Sequence, residues 1–499
     1  MSLPGAKEIN QRWATPAQFY RERDNRTMLE VQNLDQFANQ PVEIHVDPRE
    51  ADKLTVQQIA LLACNLTARW ARRVRVVMPL NVPLNEHLRR DDYNTLDQRI
   101  ISEMRAADPF GDFRLVSPTE ARNRELTESP LRLLVGSWIE PLEVGYRITV
   151  DDYIVSAGGW SVFGRRGIGL LSGTASLPAI TPATGLAASI GAADLFKRAV
   201  GHPREQWMQD FAWCLWTHRL TRQIPTHVEV RRVSDEIDFG RTLLAGVGAI
   251  GSALVYLLDM MNLKGQLTLL DRDQVELSNL NRSPLFDVSH VLARDHKTAV
   301  AVRYLSRHDL ELRLINGTWH EHSARIVSEP YDVWVSFTNE DGAWAEVPFQ
   351  LPPIVLHGTT TSGWGFSAGR HIPRLEDCTL CRMPRPEAEF RGPCAEGEIE
   401  SVETSAPVRA SLPFLSAASA SLVLAELLKL SSPVVVQLPN DASADLRYGL
   451  PAVIALKRTA NSNCRGCRAV NLAAWENRGG RSRYRQYSMP EPFSVNEAA

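Results

Sequence analysis

Three glycines spaced Gly-x-Gly-x-x-Gly stand directly behind a short apolar run, and few local patterns restrict a fold so tightly. Thr242-Leu243-Leu244-Ala245 reads as a buried strand, and Gly246-Val247-Gly248-Ala249-Ile250-Gly251 follows it without a break. Glycine at 246, 248 and 251 permits a tight strand-to-helix turn and lets the backbone approach phosphate groups, which then sit at the positive end of the helix. A second strand, Gln266–Leu270, ends at Asp271, 25 residues beyond Gly246, where a carboxylate can take ribose hydroxyls. The expected class is α/β with a Rossmann-like parallel sheet.

The turn and the carboxylate alone fit a dinucleotide as well as a nucleoside triphosphate. The residues that follow narrow the choice: Asp271-Arg-Asp-Gln-Val-Glu-Leu-Ser278-Asn279-Leu-Asn281-Arg282, then Arg294-Asp-His-Lys297. Hydride transfer has no use for an Arg and a Lys just past the ribose carboxylate, whereas a triphosphate and its departing pyrophosphate need them. With only seven lysines against 48 arginines in the chain, a Lys at position 297 is harder to dismiss as an ordinary surface charge.

The run Ser278-Asn279-Leu280-Asn281-Arg282, with Lys297, resembles the signature of the ubiquitin-activating enzyme superfamily, which includes the bacterial ThiF, MoeB and HesA proteins. The resemblance spans about residues 222–470. It implies ATP-dependent adenylation of the C-terminal glycine of a ubiquitin-like protein. It assigns Gly246, Gly248, Gly251, Asp271, Ser278, Asn279 and Asn281 to nucleotide binding, and Arg282 and Lys297 to the phosphates.

The first 235 residues read as a degenerate copy of the remainder. Val42–Val46, an amphipathic stretch over Val56–Arg72, and Val74–Met78 repeat the β-α-β order. Val46-Asp47-Pro48-Arg49-Glu50 replaces the glycine turn, however, and no Ser-Asn-Leu-Asn-Arg run follows. Two small-residue helices, near 182–197 and 413–429, recur at matching places. In the family such a helix packs at the core of each unit, often at the dimer interface. The expected organisation is therefore an inactive adenylation-like domain over 1–235 and an active ThiF-type domain over 236–499, forming a pseudo-dimer in one chain. The boundary is expected near 220–238, because His218-Arg219-Leu-Thr-Arg222-Gln223 resembles the stretch preceding the family's first strand. Tyr20–Arg26 is the candidate for the inactive half's corresponding element, which in the family lends an Arg to the ATP phosphates; a plain surface role is the expectation for its arginines.

Cys378-x-x-Cys381 and Cys464-x-x-Cys467 form a paired knuckle, and four thiolates suit a tetrahedral, structural Zn²⁺ that ties the C-terminal segment to the body. Cys64 and Cys214 stand among apolar neighbours and read as packing. Cys394 lies in the polar, turn-rich Phe390-Arg-Gly-Pro-Cys-Ala-Glu-Gly-Glu398. The resemblance makes Cys394 the thiol that takes over the activated carboxyl, a step for which a thiolate is well suited.

At one place the pattern departs from the family. Where Thr-Asp-Asn is usual, Thr338-Asn339-Glu340-Asp341 stands here, so Asn339 replaces the Asp that helps to hold Mg²⁺, and Glu340 or Asp341 is left to supply a carboxylate. His357-Gly-Thr-Thr-Thr361-Ser-Gly363-Trp-Gly365 reads as scaffold near the nucleotide.

The inactive/active arrangement with a loop cysteine resembles the activating enzymes of bacterial ubiquitin-like conjugation operons of the Bil type. That implies a conjugating enzyme as partner and a role in antiviral defence. The alternatives are a sulfur-carrier adenylyltransferase, typically about half this length, and a nucleotide-binding scaffold without catalysis. A net charge of −3 favours neither nucleic acid nor an anionic membrane as partner. Met1–Glu8 lacks the apolar core of a signal peptide, which makes the cytoplasm the expected compartment, with the chain a monomeric pseudo-dimer or a homodimer.

Overall fold

Two eight-stranded sheets of the same strand order make up the architecture. The computed structural model describes residues 9, 12–25, 34–90, 92–122, 129–138, 148–167, 177–223, 236–338, 343–350, 352, 354–361, 364–382, 398–400, 407–409, 412–468, 483–484 and 487. The first sheet contains β1 (Val42–Val46), β2 (Arg73–Val77), β3 (Asp112–Val116), β4 (Leu131–Val135), β5 (Tyr153–Gly158), β6 (Ser161–Arg166), β7 (Phe211–Cys214) and β8 (Leu220–Thr221). Its order is β3-β2-β1-β4-β5-β6-β7-β8. Neighbours from β3 to β5 are parallel, and the remaining pairs are antiparallel.

The second sheet contains β9 (Glu236–Ala245), β10 (Asn262–Leu270), β11 (Asp309–Ile315), β12 (Val333–Ser336), β13 (Val355–Thr361) and β14 (Gly365–His371). A separate antiparallel pair, β15 (Glu398–Glu400) with β16 (Pro407–Arg409), precedes its last strands, β17 (Asp441–Asp445) and β18 (Ala452–Leu456). The order β11-β10-β9-β12-β13-β14-β17-β18 repeats the first sheet strand for strand, and the switch from parallel to antiparallel falls at the same place. The chain is thus an internal duplication of one α/β unit, as its β-α-β pattern suggests.

Among the described residues the α-helices of eight residues or more, in chain order, are α1 (Pro16–Arg23), α2 (Leu54–Ala68), α3 (Leu96–Ala107), α4 (Thr181–Val200), α5 (Ala249–Leu258), α6 (Lys297–Leu305), α7 (Trp319–Ser328) and α8 (Pro413–Lys429). Several boundaries differ from the sequence pattern, and two of them show the reason plainly. α2 stops at Ala68 rather than near 72, because the Arg72 backbone N–H is taken by Ala38 O at 2.8 Å. β10 starts at Asn262 rather than 266 because it continues to pair with β9 across a bulge between Lys264 and Gln266, through polar residues that an apolar pattern misses.

Leu220–Thr221, within the His218–Gln223 stretch, closes the first sheet by pairing with β7, and β9 opens the second sheet at Glu236. One further expectation is corrected. Arg23, in the amino-terminal stretch, is no surface charge. It is fully buried and pairs with Asp24 and Asp108, each at 2.6 Å, because α1 folds back over the first sheet's flank and presents Phe19 and Tyr20 to the core. The same helix rests against the turn at Leu277–Asn279. Cys64 is buried, and Cys214 is half-buried against the same core.

The halves meet through the two small-residue helices. α4 and α8 pack directly on one another, and a Cβ at Gly185 would come within 2.6 Å of Ser421 Oγ and 2.7 Å of Leu257. Each helix sends a buried lysine across the pseudo-dyad. Lys197 donates to the carbonyls of Arg447 and Tyr448, both at 3.2 Å, while Lys429 donates to His218 Nε2 at 3.0 Å. Glu426 accepts from Lys429 and Arg370, and its Oε1 lies 3.0 Å from the same His218 nitrogen. Among the described residues no helix is long and apolar enough to cross a membrane.

Burial, aided by the Lys429 charge, pushes His218 down to about 4. A histidine held below its ordinary value near 6.5 favours the fold only while neutral, so its contribution is complete above pH ~6.5 and is lost as pH falls toward 4. Stability is expected to fall by on the order of 3 kcal/mol over that window. His218→Gln is expected to flatten the slope, as read from chemical denaturation at several pH values; an unchanged slope would show that the loss arises elsewhere.

Candidate functional site

The sequence fixes β9 to the helix behind it by a turn that tolerates no side chain at two of its three glycines. Gly246 has φ +93°, and a Cβ there would lie 2.9 Å from the backbone of Phe337 at the end of β12. A Cβ at Gly251 would strike the Gly246 carbonyl oxygen. Gly248 differs: it is the N-cap of α5, and a Cβ on it would meet nothing within 4 Å. The space above Gly248 is therefore open at a helix N-terminus, which suits an anion.

Asp271 leaves the end of β10 and turns back to this loop. Its carboxylate accepts from Val247 N at 2.7 Å and from Asp273 N at 2.9 Å. Burial raises its pKa, against the opposing pull of Lys297. Lys297 opens α6; its backbone N–H donates to Asp273 O at 3.0 Å and its ammonium to the Asp273 carboxylate at 2.7 Å. With only 7% of its surface exposed, Lys297 rests beside Asp271 on a partner that the sequence reading passed over. The Asp-x-Asp spacing at 271 and 273 was the available signal.

Ser278, Asn279 and Asn281 are buried on the adjoining turn. Asn279 and Glu276 cap that turn reciprocally, with Glu276 N donating to Asn279 Oδ1 at 3.0 Å. Arg282 is half-buried and donates to the Ser278 carbonyl and to Asn281 Oδ1. Direct bonds therefore join the glycine turn, Asp271, Asp273 and Lys297, while Arg282 is held on the 277–283 turn. Thr338 lies just past β12, whose continuation at Phe337 N donates to Ala245 O at 2.7 Å. Asn339, Glu340, Asp341, Gly363 and Cys394 lie outside the described residues. His357 stacks on His371 at 4.9 Å, with Arg382 at 3.3 Å, so that end of β13 faces the cysteine cluster, while Gly358 packs beside Phe337.

The first unit closes the equivalent place. Asp47, fully buried, follows β1 and accepts from Trp138 N at 3.0 Å and from Arg49. Glu50 accepts from Ser137 N at 2.7 Å and from Lys53. Two carboxylates thus take the backbone N–H groups beyond β4, and Gly136 (φ +118°) has Asp47 Cβ within 2.7 Å of its own Cβ position. A phosphate entering there would meet like charge in a filled space.

A cavity of about 320 Å³ opens between the halves beside the Pro284–Asp287 segment, with Arg69, Arg89, Arg90, Arg303 and Arg307 in its lining. Most of its cations are already committed: Arg90 and Arg307 pair with Asp259 at 2.6 and 2.9 Å, and Arg303 pairs with Asp295.

The four cysteines of the paired knuckle come together. Cys378 and the short helix Thr379–Arg382 follow β14, and Cys464 and the helix Arg465–Arg468 follow β18. Their sulfurs all lie within 4.8 Å of one another, with separations of 3.9 Å (Cys378–Cys381), 3.6 Å (Cys378–Cys464) and 3.5 Å (Cys381–Cys467). A tetrahedron of thiolates about zinc has sulfur–sulfur edges of about 3.8 Å, from Zn–S distances near 2.3 Å. These separations match it and are far too long for disulfides. Gly466 permits the approach, since a Cβ there would lie 2.7 Å from Cys378 Sγ.

Residues 220–447 match the ThiF family, so the chain carries a ThiF-family domain across a little under half its length. A curated relative, the uncharacterized protein y4jF of Sinorhizobium fredii, is 30% identical over 176 residues; the match covers 35% of this chain and 32% of that protein. The chain therefore spans about a third of the curated relative it matches. Among solved structures, E. coli MccB with ATP is similar at 13% identity over 63% of this chain and 99% of that one, with a TM-score of 0.35. The microcin C7 biosynthetic enzyme MccB in complex with N-formylated MccA is similar at 18% identity over 46% and 67%, with a TM-score of 0.36.

Metal analysis of the purified protein is expected to return about one zinc per chain. Cys378→Ser or Cys464→Ser is expected to release it and lower the melting temperature, because metal binding to a site formed only in the fold adds directly to folding stability. A metal-free protein with an unchanged melting temperature would refute the zinc assignment.

Proposed function

We propose that the chain activates the C-terminal glycine carboxylate of a ubiquitin-like protein with ATP, in the second unit alone. The observation that carries this reading is the contrast between the two turns: open space over Gly248, beside Asp271 and Lys297, against a first-unit turn filled by Asp47 and Glu50. The triphosphate would lie on the Gly246–Gly251 turn at the N-terminus of α5, with its ribose at Asp271. Lys297 would move from Asp273 to the phosphates, joined by Arg282, where two fixed cations offset charge developing on the leaving pyrophosphate. Mg²⁺ would add further neutralisation, with Asn339, Glu340 or Asp341 as its candidate ligands.

In the reaction a carboxylate oxygen attacks the α-phosphorus of ATP; that P–O bond forms, the α–β anhydride bond breaks and pyrophosphate leaves. The Cys394 thiolate then attacks the acyl carbon, the C–S bond forms and AMP departs. The thioester retains enough energy to pass the acyl group to a conjugating enzyme, as in the Bil-type systems. Zinc takes no part in either step and is structural.

ATP–pyrophosphate exchange with a ubiquitin-like protein ending in glycine is expected, and Lys297→Ala or Arg282→Ala should each reduce it by about 10²-fold. Exchange surviving both changes would remove the phosphate roles. Cys394→Ala should leave exchange intact and abolish a thiol-sensitive adduct. An adenylate without any adduct in the wild type would instead identify a sulfur-carrier adenylyltransferase, and absence of both would identify a binding scaffold.

A further inference from the structure

The C-cap of α2 is Arg69, a fully buried cation. Its Nε donates to Asn65 Oδ1 at 2.8 Å, and its two terminal nitrogens donate to Leu280 O, to Pro284 O at 2.8 Å and to Phe286 O at 3.1 Å. Among the described residues all its hydrogen bonds go to neutral acceptors, and burial pushes its pKa down to about 10, which leaves it charged at neutral pH. Burying a guanidinium without a carboxylate is costly, and the cost is recovered only when its donors are met in good geometry. Asn65 adds a bond of its own from Nδ2 to Pro284 O at 3.1 Å.

The acceptors are informative. Leu280 and Pro284 lie two residues before and two after Arg282, so one planar group from the first unit grips both sides of that residue. The duplication offers an internal comparison. At the C-cap of α5, the counterpart of α2, stands Asp259, which pairs with the side chains of Arg90 and Arg307 and grips no backbone carbonyls as Arg69 does. The first unit's corresponding turn, Glu86–Leu88 with Arg89 and Arg90 behind it, is thus met through a side chain, whereas the second unit's is held by its backbone.

We infer that Arg69, supplied by the unit whose own turn is filled, is a positioning residue for Arg282: it fixes the 280–286 backbone so that the Arg282 guanidinium is aimed at the phosphates. The inference rests on the proposed contact between Arg282 and ATP. It gives the first unit a role in the second unit's site without touching the nucleotide.

The test uses ATP and adenosine as probes of the whole chain, so no protein substrate is needed. Dissociation constants are measured for wild type, Arg69→Gln, Arg282→Ala and the double variant. Arg69→Gln is expected to weaken ATP by about tenfold and leave adenosine unchanged, because only the phosphate contacts depend on Arg282. The double variant should bind ATP about as weakly as Arg282→Ala alone, since two residues acting through one contact are non-additive. Asn65→Ala, a milder change to the same clamp, is expected to show the same ATP-specific loss at about two- to threefold, and it carries the test if Arg69→Gln fails to fold. Equal losses for ATP and adenosine, or a loss in the double variant equal to the product of the two single losses, would overturn the inference while leaving the nucleotide site standing. A wild type that binds no ATP would overturn the nucleotide reading and this inference together.

Discussion

Everything else in this molecule depends on the close approach of α4 and α8. Both helices are buried along almost their whole length, and they can be only because their facing residues are small. Gly185 leaves no room for a Cβ, and serine hydroxyls on both helices, at Ser189 and Ser421, bond back to carbonyls one turn earlier. Apolar burial supplies the attraction, and the two buried lysines supply direction: each needs acceptors that exist only in one relative placement of the halves. Five of the chain's seven lysines lie elsewhere, so spending two on this interface is itself a sign of specific pairing.

The halves share a strand order but differ at the turn that follows the first strand of each unit. The same strand order puts the same kind of turn at the end of β1 and of β9, and the two turns have opposite electrostatics. One leaves backbone N–H groups and an open helix N-terminus; the other covers the equivalent place with Asp47 and Glu50. A filled turn is also a stable one, because its buried donors are met within the protein. At the open turn the space over Gly248 is unfilled by protein, and Lys297 rests on Asp273.

The cysteine cluster solves a different problem. β18 is the last strand of its sheet, and the cluster fastens the residues that directly follow it. The four sulfurs gather the ends of β14 and β18, and Arg382 joins them to the body through Asp377, which it meets at 2.9 Å, and through the Asn440 carbonyl. A metal bound here would be far from any role in moving a carboxyl group, which accords with a structural site closed by four thiolates.

The sequence by itself determined the features set by neighbours in the chain: the glycine turn behind β9, the carboxylate at 271, the repeated β-α-β order, the two small-residue helices and the paired Cys-x-x-Cys. Each is a local pattern whose physical requirement, a tight turn, an alternation or a ligand spacing, is met within a few residues. The polar beginnings of β9 and β10 escaped that logic, because partners across the sheet hold them and not their own hydrophobicity. So did β8, a two-residue strand that only its pairing with β7 defines. Tertiary structure alone decided that Arg23 is buried, that Lys297 rests on Asp273, that the first turn is filled from within, and that Arg69 reaches a backbone 211 residues away. An arginine's destination is not written in its neighbours: its long side chain and many donors suit surface and interior alike, and only the folded chain shows which acceptors lie within reach.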